Sequence, residues 1–126
     1  MTLYEQYIAV ATYFKTQWGD TPFFTLGEVI KDQTNFIVFE AFGTGVKTCL
    51  SGKSIENHVG YSVMCYGETR PKSLKIASDL QIKFTDKKVE SLVVMGGEIK
   101  STIKLEDNIF ETEVVFKTSS DSQLGA

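Results

Sequence analysis

His58 is the only imidazole in the chain, so a Ser/His/Asp or Cys/His nucleophilic site would have to be built around it. Its thiol partners would be Cys49 or Cys65. His58 stands in a glycine-rich stretch just ahead of a strand pattern, where a histidine faces solvent. Cys65 falls inside that pattern, where it faces a core rather than a cleft. Two cysteines and one histidine are also too few for a closed metal-ligand set, and they read as two reduced, buried thiols and a surface imidazole. Glu111 and Glu113 share one face of a predicted strand, and paired carboxylates can hydrolyse glycosides. A solvated outer strand face places two glutamates in the same way. Gly43-Thr-Gly-Val-Lys-Thr48 resembles a phosphate loop superficially. The Walker pattern needs four residues between its first glycine and a Gly-Lys-Ser/Thr end. Gly52-Lys53-Ser54 supplies the end, but the glycine position is Lys47, and no helical pattern follows. Lys47, Lys53 and Arg70 could touch anions, yet they are scattered. The chain is therefore expected to hold no catalytic centre, no cofactor and no metal.

Bulk properties narrow the classes further. At 126 residues, 42% of them apolar and 23% charged, the chain suits one globular core. Residues 1–118 are expected to form one domain, with 119–126 a flexible tail. A net charge of −3 and a pI of about 5.1 argue against a dedicated nucleic-acid binder, which needs a clustered basic patch. No apolar run is long enough to span a membrane, and no secretory leader pattern is visible at the start.

The elements that would position these residues follow from periodicity. Thr2-Leu-Tyr-Glu5 fits a capping box. Tyr7, Ala11, Phe14 and Trp18 then recur at helical spacing, widened by Leu3, Tyr4 and Ile8, and Gly19-Asp20 with Pro22 ends the helix. Phe23 to Leu26 is a short strand. Phe36 to Phe42 is a strand whose two faces are both largely apolar, so both need a cover, and a helix layer supplies only one. Gly43 to His58 predicts a protruding hairpin or long loop. Val59 to Tyr66 is a strand, and Thr69 caps a second helix with Pro71 in its first turn. Leu74, Ala77, Leu80 and Phe84 form that helix's apolar stripe, extended by Ile76, and Asp79 is placed to pair with Lys83. Thr85 to Lys88 is a turn. Leu92 to Met95 and Ile99 to Leu105 read as a hairpin about Gly96-Gly97. After a turn at Glu106-Asp-Asn108, the strand Ile109 to Lys117 alternates cleanly, with Glu111 and Glu113 on its wet side. The fold class is α+β: an antiparallel or mixed sheet with two helices on one side, in the order α-β-β-β-α-β-β-β.

This layout resembles the tail terminator proteins of long-tailed bacteriophages, within the wider group of small tail-completion and neck proteins. The pieces that carry the resemblance are Tyr4 to Trp18, Thr21-Pro-Phe-Phe24, Phe39-Glu-Ala-Phe-Gly-Thr-Gly45, Gly60-Tyr-Ser-Val-Met-Cys-Tyr-Gly67, Ser73 to Phe84 and Ile109-Phe-Glu-Thr-Glu-Val-Val-Phe116. It covers nearly the whole chain and is one of pattern, with no diagnostic motif. It implies a non-enzymatic ring, expected to be a hexamer, that caps the finished tail tube, stops its growth and offers a face to the head. Its partners would be further copies of itself, the tail tube protein and the head–tail connector or neck protein. DNA would only pass through the lumen, and no membrane is involved. The protein would occupy host cytoplasm during assembly and the virion tail afterwards. Within that frame Gly43, Gly45, Lys47, Lys53 and His58 are placed at an oligomer or tube interface, and Glu111 and Glu113 at the lumen or a second interface. A neck or head-completion protein stays open as an alternative. So does a curved-sheet domain holding a small ligand in an aromatic-lined pocket, or an enzyme on that scaffold.

Overall fold

Hydroxyl capping and apolar spacing build both helices. In the computed structural model, which describes residues 2–19, 21–25, 28, 34–48 and 54–120, helix α1 spans Leu3–Gln17. Its capping box is complete. The Glu5 amide donates to Thr2 Oγ1, and Glu5 Oε1 accepts from the Thr2 amide, each at 3.1 Å. Helix α2 spans Arg70–Phe84, with the Thr69 hydroxyl accepting from the Lys72 amide and Pro71 in the first turn. Cap and first-turn proline stand where the sequence pattern places them, because proline is accommodated where no intrahelical amide donor is required.

The strands are β1 (Phe23–Thr25), β2 (Phe36–Thr48), β3 (Ser54–Gly67), β4 (Lys88–Val89), β5 (Leu92–Val94), β6 (Glu98–Glu106) and β7 (Ile109–Ser120). The class is α+β, as expected, with one short strand more than expected after α2. The sheet order is β1-β2-β3-β7-β5-β4, and β6 pairs β7 off that path. The β1–β2 pair is parallel and the rest are antiparallel. Strand β7 is therefore shared: its first half takes β6 and its last residues take β5.

Both helices pack on one face of this sheet around a single core. Val10, Ala11 and Phe14 of α1, with Trp18 at its C-cap, join Ile76, Ala77, Leu80 and Phe84 of α2 over Ile37, Phe39, Tyr61, Val63, Val114 and Phe116. Phe14 stacks on Phe84 at 3.9 Å and meets Phe116 edge-on at 5.2 Å and Phe39 at 5.3 Å. The space where sequence allowed an aromatic-lined pocket is thus filled by rings.

Four side-chain expectations are corrected. Tyr4 and Ile8 do not extend the buried stripe of α1; they are exposed, Tyr4 by 72%. Leu74 is likewise exposed, and the core position belongs to Ser73, because the helix turns the stripe 73-76-77-80-84 inward. Asp79 pairs with Lys75 at 2.8 Å rather than with Lys83. Gly96-Gly97 is no hairpin turn, since β5 pairs with β4 and β7 while β6 pairs with β7. A Cβ on Gly97 would lie 2.5 Å from the Phe116 ring, so that glycine permits close approach instead.

Candidate interaction face

The sheet face away from the helices is built by alternation. Along β2, Ile37 and Phe39 enter the core, so Phe36 and Val38 point the other way. Register places Phe36 beside Tyr66 and Val38 beside Met64, and across β3 it places Tyr66 beside Glu111 and Met64 beside Glu113. Phe24, opposite Val38, and Ile103, opposite Glu111, extend the same face. Phe36 stacks on Tyr66 at 4.6 Å, and Phe24 meets Phe36 edge-on at 6.1 Å. No described helix covers these residues.

Glu111 and Glu113 do share a face, but not a fully wet one. Both are half-buried, and Val115 beside them is buried. The Tyr66 hydroxyl donates to Glu111 Oε2 and the Ser62 hydroxyl to Glu113 Oε2, both at 2.5 Å. Neither carboxylate has a cation within ion-pair distance among the described residues. The expectation of a solvated outer face fails because aromatic and aliphatic neighbours crowd the two acids. The sequence signal for this lay in Tyr66, Met64 and Phe36 alternating opposite to the core residues of their own strands.

The expected protruding segment is a long hairpin. Gly43 lies opposite Gly60 and Gly45 opposite His58 where β3 still pairs with β7, and beyond His58 the strands β2 and β3 run on as a two-stranded hairpin, with Lys47 opposite Glu56. The register slips by one residue between Ala41 and Gly43, so Phe42 stands at a bulge. Gly43, Gly45, Lys47 and His58 are brought together on this strand pair. Lys53 lies outside the described residues, as does Cys49. The hairpin and the Glu111/Glu113 pair are joined through β3, which pairs with β2 on one side and β7 on the other.

The chemistry considered from sequence gains no geometry. His58 and Cys65 are seven residues apart on one strand, ~23 Å at extended rise, which is beyond any proton transfer. Burial pushes the Cys65 thiol up to about 12, so it stays protonated and unreactive. Among the described residues no cluster of His, Cys, Asp and Glu could hold a metal, and no helix is long and apolar enough to cross a membrane. An open cleft of about 770 Å³ runs between α1 and β4, lined by Tyr4, Ile8, Thr12, Tyr13, Val89 and Glu90 among others.

No protein-family model matches the sequence, and no curated protein matches it either. Among solved structures, the fold is similar to a chain in the virion of a native gene transfer agent (GTA) particle. That likeness has a TM-score of 0.56 and 6% sequence identity, over 92% of this chain and 90% of that one. At that identity the two chains share a fold, and they share it over nearly their full lengths.

Proposed function

We propose that this chain is a structural assembly protein of a phage-like particle, which forms a ring on the end of the tail tube, stops tube growth and offers a face to the head. The observation that carries the reading is the near end-to-end fold likeness to a chain of a gene transfer agent virion. The open aromatic face supports it, because a contiguous apolar patch on a small protein is best explained by a partner surface. A cap also needs one face complementary to the growing end and a second that does not repeat it. The work is protein–protein contact and requires no catalytic group.

In this reading the partners are further copies of the chain, the tube protein and the head–tail connector, in host cytoplasm during assembly and then in the virion tail. A net charge of −3 suits a ring through which DNA passes without sticking. The β2–β3 hairpin with Gly43, Gly45, Lys47 and His58 is the oligomer or tube contact, and Lys53, outside the described residues, is assigned to the same contact from the sequence. Glu111 and Glu113 belong to a second contact or the lumen.

The test is tube length by negative-stain electron microscopy, with the cognate tube protein polymerised with and without this chain. Short tubes bearing a ring at one end are expected. Lys47→Glu with Lys53→Glu should leave the circular dichroism spectrum unchanged and restore uncapped, long tubes. Tubes unaffected by the wild-type chain, but a ring bound to the portal-side connector, would move the protein to the neck.

A further inference from the structure

Strand β6 is nine residues long, and among the described strands it pairs only with β7. The strands that end the sheet order, β1 and β4, have three residues and two. A short edge gives another chain little to pair with, whereas a long one presents a row of free amides and carbonyls. Every residue of β6 except Ile99 and Thr102 is exposed, Ile103 by 46%. The strand holds no proline, and its lysines are matched locally, Lys100 with Glu98 at 3.1 Å and Lys104 with Asp107 at 3.2 Å. So neither a proline nor an unmatched cation keeps a second strand away. One side chain interrupts the row instead. Arg70, the first residue of α2, donates from Nη1 to the Thr102 carbonyl at 3.0 Å and lies 5.3 Å from the centre of the Phe110 ring. Paired strands stand about 4.8 Å apart, which leaves no room for a guanidinium between β6 and β7. The Thr102 carbonyl therefore faces the free side of β6.

We infer that Arg70 guards the open edge of β6 against pairing with the same strand of a second copy. Thr102–Lys104 is a regular stretch between two register shifts. In an antiparallel ladder a residue's amide and carbonyl point to one side, and the direction repeats every second residue, so Thr102 and Lys104 both carry outward groups. A two-fold axis through Ile103 sets Thr102 opposite Lys104 of the other copy. The Lys104 amide then takes the very carbonyl that Arg70 holds. The same axis sets the exposed Ile103 beside its own copy, an apolar cross-strand pair. Such a contact is self-complementary and closes at two copies, so an unguarded chain would be diverted into dimers. The guard acts whether or not the chain caps tubes.

The test is sedimentation equilibrium on the whole chain, read together with amide hydrogen exchange in β6. Arg70→Ala should self-associate about tenfold or more tightly than the wild type. Its Lys104 amide, which exchanges freely in the wild type, should become protected as protein concentration rises. Arg70→Met keeps a long apolar side chain for Phe110 and loses only the donor, so it should behave as Arg70→Ala does. Two second changes in the Arg70→Ala background should each return association to the wild-type level. Lys104→Pro removes an outward amide that β7 does not use. Ile103→Lys, at an exposed position, sets two cations against each other on the axis. Arg70 variants that fold and associate no more than the wild type overturn the inference. So does association that survives both second changes, or that leaves the Lys104 amide unprotected.

Discussion

Ser73 is fully buried and anchors a directional hydrogen-bond chain in the core. Its hydroxyl lies 2.8 Å from the Cys65 carbonyl and 2.8 Å from Thr112 Oγ1, which is 2.7 Å from Thr102 Oγ1. A carbonyl only accepts, so Ser73 must donate to it. With its single proton spent, Ser73 accepts from Thr112, and Thr112 accepts from Thr102. The order Thr102→Thr112→Ser73→Cys65 ties β6, β7, α2 and β3 together. Ser73→Ala should cost about 1–3 kcal/mol, read as a lower urea midpoint at unchanged slope, because the Cys65 carbonyl and the Thr112 donor lose their partner in a dry site. Hydropathy alone favours Leu74 over Ser73 at this turn, and the structure reverses that choice. The unbroken 73-76-77-80-84 spacing was the available signal, and a lone hydroxyl on it masked the signal.

At the scale of elements, caps and propensities were legible, and pairings were not. Thr2, Glu5, Thr69 and Pro71 act locally, within a turn, so their sequence order suffices to place both helix starts. The glycines act over distance. Gly67 closes β3 where α2 begins, and a Cβ there would sit 2.5 Å from the Ser73 amide nitrogen and 2.9 Å from its Cα. Those are backbone atoms of a capped helix and cannot turn aside. Gly67→Ala should therefore destabilise by about 1–3 kcal/mol, seen as a lowered melting temperature. The Gly96-Gly97 dipeptide looked like a turn because only the structure brings Phe116 against it. Likewise the bulge at Phe42 depends on the partner strand, and strict alternation along β2 could not reveal it. The same holds for the crowding of Glu111 and Glu113, which requires Tyr66 and Met64 to arrive from β3.

For the whole molecule, the order of elements was readable and the sheet order was not. Strand β7, the last of the described strands, lies inside the sheet between β3 on one side and β5 and β6 on the other. It supplies Thr112, Val114 and Phe116 to the core. The Ser62–Glu113 bond alone joins residues 51 apart in sequence. A fragment of residues 1–108 should consequently show no cooperative thermal transition by circular dichroism, while the whole chain melts in a single step. A sharp melt for the fragment would mean that the hairpin and helices stand without their central strand.

That placement of β7 also sets a clock. During synthesis β2 and β3 can zip as they leave the ribosome, but β3 keeps an unpaired edge until residue 120 has emerged. Until then Glu111 and Glu113 have no fixed place, and Tyr66 and Ser62 have no acids to hold. In the assembly reading proposed above, a nascent chain cannot offer this sheet face before β7 has paired with β3. On that reading the order of the strands alone keeps unfinished chains out of the assembly.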